Sequence, residues 1–368
     1  MYLHKLSLVN FKNYKETELT FSGKINCFVG NNGVGKTNLL DAIHYLSLCK
    51  SYFNIIDSQN IRHGEDFFII QGNYILNNTE EEIYCGFKRN SRKVFKRNKK
   101  DYDRLADHVG LIPAIMITPS DNSLISEGSE VRRKLIDSVI SQYDKLYLDD
   151  IIHYNRLLIQ RNKLLKQFAV SGHVDQDMIE VYSGQMSAYG NRIFEKRNEF
   201  ISSFIPVFQK YYRLISGSRE EAGLQYQSQL LQNDMGYLLT HNFKKDRVME
   251  YTTAGIHKDD LNLLLGGHPA KKFASQGQQK TYVVALKLAE FDFIARLSNL
   301  KPLLLLDDIF DKFDPERVKQ IIHLASDEHF GQIFITDTEI QRIENVLKEI
   351  SFDHSIFKVE EENIRQTE

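Results

Sequence analysis

The sequence predicts an α/β fold: a mixed sheet with an antiparallel patch, built around a phosphate-binding loop, with a helical arm inserted into it. Three observations predict it. Residues 30–37 read G-N-N-G-V-G-K-T between a short apolar run and a stretch of helical spacing. Far downstream, Leu303–Leu306 run straight into Asp307 and Asp308. Between these two, from Glu130 to about Ile215, apolar residues recur at helical spacing on a highly charged background.

The elements follow in order. Leu6 and Leu8, then Leu19 and Phe21, alternate as in two half-buried strands around a turn at Asn13-Tyr14. Ile25–Val29 is short and mostly apolar, a buried strand, and Asn38–Leu46 has helical spacing. Strand patterns return at Phe67–Ile75 and Ile83–Phe87, with Asn77-Asn78 as a hairpin turn. Val131, Leu135, Val139, Tyr143 and Leu146 open the helical stretch. Ser171-Gly172 breaks it, and a second helix covers about 176–215, with Pro206 as a candidate kink. Leu261–Leu265 reads as a strand ending at Gly266-Gly267, and Ile333–Thr336 as another ending at Asp337. This divides the chain into 1–120, the first part of the head; 121–245, the inserted arm; and 246–368, the rest of the head.

The loop residues Gly30, Asn31, Asn32, Gly33, Val34, Gly35, Lys36, Thr37 and the adjoining Asn38 are the expected ATP cradle. Glycine lets the backbone wrap close to phosphate with its N–H groups turned inward, and the following helix adds its positive end. Lys36 is expected at the β- and γ-phosphates and the Thr37 hydroxyl on Mg²⁺. A buried strand ending in acid is the companion element. Asp307 is expected to hold the Mg²⁺ through water, and Asp308 to orient or deprotonate the attacking water.

Ser275-Gln276-Gly277-Gln278-Gln279 lies between the two. Ser275 with Gln278 makes a capping box at the start of an amphipathic helix, and a glycine-bearing helix start is a second anion site. Phosphate loop, S-Q-G-Q-Q, then the acidic strand about thirty residues on is the order of ABC-type ATPases. In those enzymes the signature of one subunit closes on ATP held by another. Asp314 falls where they carry a D-loop. Where they carry a γ-phosphate-sensing histidine, this chain offers Thr336, Asp337 and Thr338, with Thr336 the expected sensor. The fold class is therefore an ABC-type P-loop ATPase head with an inserted helical arm domain.

Composition sets outer limits. The 368 residues are 42% hydrophobic and 26% charged, ordinary for a soluble globular chain. The net charge of −2 announces no nucleic-acid binder, so local patches must carry that argument. Cys27, Cys49 and Cys85 are widely spaced and suit neither a disulfide framework nor a zinc site. The start has no signal-peptide core and the longest solid apolar run is Leu303–Leu306, so no membrane partner and a cytoplasmic location are expected.

Over most of its length the chain resembles the RecF family of bacterial DNA repair. Leu8-Val9-Asn10-Phe11-Lys12-Asn13-Tyr14 is similar to the family's N-F-R-N-Y turn. Arg132-Arg133-Lys134-Leu135-Ile136-Asp137 is similar to R-R-x-F-L-D, and Gly255-Ile256-His257-Lys258-Asp259-Asp260-Leu261 to G-P-H-R-D-D-L. The phosphate loop, Ser275–Thr281, Asp307-Asp308 and Phe334-Ile335-Thr336 complete the match. The departures are Lys12 and Lys258 for arginine, Ile256 for proline, and Asp311-Lys312-Phe313-Asp314 for S-E-L-D; the ATP site is untouched by them. The resemblance implies an SMC-like ATPase, weak and DNA-stimulated, that forms a homodimer on ATP and binds double-stranded, gapped or single-stranded DNA. It also implies work with RecO and RecR to load RecA in DNA repair, replication restart and the SOS response.

DNA contacts are sought in the stretch from Lys88 to Lys100, where eight of thirteen residues are cationic. Arg92, Lys93, Lys96, Arg97, Lys99 and Lys100 are the candidates there, and Arg132 and Arg133 form a second patch. A solvated hairpin, and pairing with Glu127 and Glu130, are the competing accounts. Three other readings are weighed. A long-armed SMC protein is excluded by length, since an arm helix of about forty residues reaches only about 60 Å. A transporter subunit would carry L-S-G-G-Q, a glutamate base and a switch histidine. A P-loop small-molecule kinase needs no S-Q-G-Q-Q and requires an acceptor molecule.

Overall fold

The computed structural model describes residues 1–217, 220–308, 330–348, 353–361 and 363–367. Asp314 lies outside them. The chain forms two compact units: Met1–Asn122 with Lys280–Glu368, and Ser123–Gln279.

The first unit holds two six-stranded sheets. One is antiparallel: β1 (Tyr2–Phe11), β2 (Tyr14–Thr20), β4 (Phe67–Leu76), β5 (Thr79–Lys88), β6 (Val94–Arg97) and β7 (Lys100–Asp101), in the order β2-β1-β4-β5-β6-β7. Its inner face alternates Leu6, Leu8, Phe68, Ile70, Ile83, Cys85 and Phe95 into the core. Asn77 and Asn78 both take positive φ, 49° and 62°, and close the β4–β5 hairpin as expected. The first turn differs. Phe11 pairs with Tyr14, so the two loop residues are Lys12 and Asn13, and Tyr14 already belongs to β2.

The other sheet is β3 (Ile25–Val29), β8 (Ala114–Ile117), β12 (Leu303–Leu306), β13 (Ile333–Asp337), β14 (His354–Glu360) and β15 (Asn363–Thr367). Its order is β15-β14-β3-β13-β12-β8, parallel throughout except for the β14–β15 pair. Four of these strands, β3, β8, β12 and β13, are buried along their whole length, as parallel strands covered on both faces must be. Helix α1 (Lys36–Leu48) follows β3 directly. Cys27, Cys49 and Cys85 are buried and, among the described residues, form no disulfide.

The second unit begins with α2 (Ser123–Ser126) and α3 (Ser129–Ser141) and is dominated by α4 (Lys145–Ser171) and α5 (Gln176–Ser216). Asp144 and Asp175 cap the two long helices by accepting from the Tyr147 and Met178 N–H groups. Gly172 and Gly217 end them at φ 69° and 70°, where a Cβ would be strained. Helix α5 continues through Pro206. Inside the arm Arg161 reaches Asp246 at 2.8 Å, and Arg197 reaches Asp137 and Asp259, each at 2.9 Å. Both arginines are fully or almost fully buried, so losing a partner would strand a charge.

The arm was expected to end at 245. The compact unit instead continues to Gln279 through α6 (Met235–His241), α7 (Phe243–Met249), β9 (Ala222–Gln227), β10 (Asp260–Leu265), β11 (His268–Pro269) and α8 (Ala270–Phe273). The reason is pairing: β10 bonds to β9 along six residue pairs and to β11 along two, which ties 260–269 to the strand just after α5. Helix α9 (Gln276–Ser298) follows, and α10 (Ile340–Leu347) lies between β13 and β14. Among the described residues no helix is long and apolar enough to cross a membrane.

Candidate nucleotide site and nucleic-acid face

Three parallel strands deliver the site. β13 lies between β3 and β12, with Leu306 opposite Ile335 and Thr336 opposite Phe28. The phosphate loop, Thr336 and Asp307 therefore emerge side by side at the carboxyl ends of the strands, where open α/β sheets bind ligands.

The loop is held tightly. A Cβ on Gly30 would lie 2.2 Å from the Val359 carbonyl oxygen. One on Gly35, at φ 109°, would lie 2.4 Å from the Asn13 side chain. Asn13 explains that crowding. Its Nδ2 donates to the Val34 carbonyl at 3.1 Å, and its Oδ1 accepts from Asn38 Nδ2 at 2.7 Å. Tyr14 donates to the Gly35 carbonyl at 3.1 Å. Lys12 pairs at 2.5 Å with Asp41, which is buried on α1 and also accepts from Ser51 and the Tyr52 N–H. Asn13, Tyr14 and Asp41 had no assigned role at the site. The motif around Asn13 was visible, but only the β1–β2 hairpin shows that it braces a loop 21 residues away.

Lys36 is 4% exposed, and its ammonium donates to the Gly30 and Asn31 carbonyls at 2.9 and 3.0 Å. Among the described residues no carboxylate pairs with it. A buried cation that donates only to backbone carbonyls among the described residues suits an arriving polyanion. Thr37 Oγ1 donates to Asp307 Oδ1 at 2.8 Å. Thr336 Oγ1 lies 2.9 Å from the same oxygen and 3.3 Å from Asp308 Oδ1, and it accepts from the Asp308 N–H at 2.8 Å. Asp308 itself has φ 44°, the left-handed region that aspartate tolerates. Burial pushes the Asp307 carboxyl above its ordinary pKa, opposed by the hydrogen bonds from Thr37 and Thr336. A hydroxyl and a buried carboxylate 2.8 Å apart are hard oxygen donors of the kind Mg²⁺ takes.

The signature forms the expected capping box. The Ser275 N–H donates to Gln278 Oε1 at 2.5 Å, and the Gln278 N–H to Ser275 Oγ at 3.3 Å. Gln279 Nε2 donates to the Ala274 carbonyl at 3.1 Å, and Gln278 Nε2 to Glu220. Gln276 and Gly277 open α9.

Comparison with known proteins agrees with this arrangement. The family model described as the RecF/RecN/SMC N-terminal domain matches residues 2–362. A DNA replication and repair protein RecF of Bacteroides fragilis is 51% identical over 100% of this chain and 99% of its own length. That of Flavobacterium johnsoniae is 50% identical over 98% of this chain and 100% of its own.

The chain belongs to the RecF family.

A solved structure of the recombination mediator protein RecF with ATP, from the RecFOR pathway, superimposes at a TM-score of 0.90. It is 30% identical and covers 100% of this chain and 98% of its own. An Smc head bound to the C-terminal winged-helix domain of ScpA, 15% identical, matches at 0.59 and shares the fold. This chain thus has an SMC-like, ABC-type head and a compact arm.

The motif around His257 is held by partners far along the chain. Asp259 receives Arg197 and Tyr226, and Asp260 receives Arg132 through two bonds of 2.7 and 3.0 Å. Two DNA candidates are thus engaged within the arm. Arg132 is tied to Asp260 and to the Leu124 and Glu127 carbonyls. Arg133 donates to Ser129 Oγ and the Asp259 carbonyl. The expected pairing with Glu130 belongs to Lys134, at 2.7 Å.

The basic hairpin divides in the same way. Lys93 is enclosed by Asp57 at 3.0 Å, the Cys49 carbonyl at 2.7 Å and the Tyr45 hydroxyl at 3.0 Å, so it anchors the hairpin and is withdrawn from phosphate. Arg97 forms a two-pronged pair with Glu81 at 2.8 and 2.6 Å. Lys96 lies 3.7 Å from Asp101. Arg92, Lys99 and Lys100 are exposed and, among the described residues, form no ion pair.

Proposed function

We propose that this protein is a cytoplasmic, ATP-dependent DNA-binding recombination mediator that hydrolyses ATP slowly. One observation carries the reading: Lys36, Thr37, Asp307 and Thr336 converge at the carboxyl ends of three adjacent parallel strands. The loop amides and Lys36 bind the phosphates. Thr37 and Asp307 would hold Mg²⁺, which would supply charge neutralisation at the phosphates. Thr336 sets the Asp307 and Asp308 carboxylates in place. Asp308 orients the water that attacks the γ-phosphorus and takes its proton as the bond to the β-phosphate oxygen breaks. The products are ADP and phosphate.

Ser275–Gln279 close on the ATP of a second copy, and Asp314 crosses the same interface. ATP therefore assembles a homodimer on DNA, and hydrolysis opens it. With RecO and RecR, by family likeness, the dimer marks gaps where RecA is loaded. Arg92, Lys96, Lys99 and Lys100 are the cations left to meet phosphate. The test is steady-state hydrolysis with and without gapped duplex DNA. DNA should raise the rate; hydrolysis indifferent to DNA but dependent on a small phosphoryl acceptor would point to a kinase instead.

A further inference from the structure

The outer face of the antiparallel sheet carries a feature that the nucleotide site does not use. Strand alternation places Phe67, Ile69, Tyr84 and Val94 away from the core. Cross-strand register sets Ile69, Gly86 and Val94 in one row, with Tyr84 beside Lys96 in the next. Phe67 and Val94 are 37% and 40% exposed. Tyr84 lies down over Gly86: a Cβ there would meet its hydroxyl at 2.7 Å and its ring at 3.1 Å. Glycine at 86 is what lets the ring lie along the sheet instead of standing off it.

These side chains line a groove of about 580 Å³. Its cations are Lys88, Arg92, Lys96 and Lys99; of these Lys88, Arg92 and Lys99 are exposed and, among the described residues, form no ion pair. The one carboxylate in the lining, Glu82, accepts from Gln71 Nε2 at 3.0 Å. A flat aromatic on an open sheet, with unpaired cations around it, matches what an unpaired nucleotide offers: a π-face and a phosphate. A duplex keeps its bases stacked inside and could use only the cations.

We infer that this face binds single-stranded DNA, stacking a base on Tyr84 while Lys88, Arg92 and Lys99 hold the flanking phosphates. It rests on the DNA-binding function proposed above and gives that function a preference for the unpaired side of a junction. The chain has no tryptophan, and a single 2-aminopurine in an oligothymidylate reports stacking directly.

The full-length protein with ATP and Mg²⁺ should quench that probe. Tyr84→Ala should abolish the quenching and weaken single-strand binding about tenfold, the effect of one lost stacked base, with duplex affinity and salt slope unchanged. Tyr84→Phe should restore both signals. Gln at 88, 92 and 99 should instead lower the salt slope for single strands by about 2. Absence of quenching with the wild-type chain overturns the inference even if a variant misfolds. So does equal loss of single-strand and duplex binding in Tyr84→Ala, or no loss at all, which would leave the face to a protein partner. DNA-stimulated hydrolysis without quenching would sink this inference alone; binding to no DNA of any kind would sink the proposed function with it.

Discussion

Asp308 shows how much a single residue's setting decides. Its backbone is turned into the left-handed region, its N–H is held by Thr336, and its carboxylate lies 3.3 Å from the same hydroxyl. Replacement by asparagine keeps the size and the backbone bond but removes the proton acceptor. Asp308→Asn should keep ATP binding while single-turnover hydrolysis falls by about 10²–10⁴, and the ATP-bound dimer should accumulate on a sizing column. Hydrolysis at the wild-type rate would remove Asp308 from the reaction. Lys36 makes the complementary case. Its ammonium fits between the Gly30 and Asn31 carbonyls, and a planar guanidinium does not replace a point charge in that space. Lys36→Arg should cost at least about a hundredfold in hydrolysis, with a smaller loss in ATP affinity by calorimetry. Lys36, Thr37, Asp307 and Thr336 were all legible in the sequence, because their spacing relative to strands and helices is itself the motif. Asn13 and Asp41 were not, since their work is contact across a sheet. Nor could charge alone separate Arg92 from Lys93: only the fold sets one in solvent and the other against Asp57.

At the scale of elements, the long helices, the β4–β5 hairpin and the three strands of the nucleotide site follow from periodicity and turn residues. The arm's true extent does not, because β9 and β10 pair across more than thirty residues of helix and loop that carry no pairing signal of their own. The RecF-family motif at 255–261 is one of the contacts that hold this unit together, and it makes a pH prediction. His257 accepts from Tyr154 at Nδ1 and donates from Nε2 to the Thr252 carbonyl, at 2.8 and 3.0 Å, so the neutral ring is fully used. Burial lowers its pKa to about 4; Lys258 and Arg133 push the same way, while the Thr252 bond and Asp246 oppose. Between about 6.5 and 4 the unfolded chain therefore binds more protons than the folded one, and stability falls as the pH falls through that window. At 1.36 kcal/mol per unit the loss at the acid end is at most about 3 kcal/mol. His44, also lowered to about 4, acts in the same direction in the other unit. Thermal unfolding of the wild type should drop below pH 6.5, and His257→Gln should flatten part of that drop. Parallel curves for the two proteins would show that His257 does not titrate on unfolding.

At the scale of the whole molecule, the parts proposed for the ATP site are distributed over the chain. Lys36, Thr37 and Asp307 belong to one compact unit; Ser275 to Gln279 belong to the other. In the ABC arrangement the signature serves the ATP of a second copy, so a subunit can bind ATP alone but cannot finish the site alone. The capping box makes this testable, because Ser275 sits at the very start of α9 and the box already fixes its hydroxyl and N–H. Arginine at 275 would place a bulky cation where the helix start should face phosphate. The cap itself is worth about 1 kcal/mol, so the fold should survive the change. Ser275→Arg should therefore bind ATP with near wild-type affinity, since Lys36 and Thr37 are untouched, yet stay monomeric by light scattering with ATP and Mg²⁺. The wild type should pass from monomer to dimer under the same conditions. Hydrolysis should fall with dimerisation, and duplex binding should weaken with it, because a groove lined by two subunits is lost. An oligomeric state independent of ATP in both proteins would refute the shared site. A Ser275→Arg protein that dimerises and hydrolyses normally would place the trans contact elsewhere than at the start of α9.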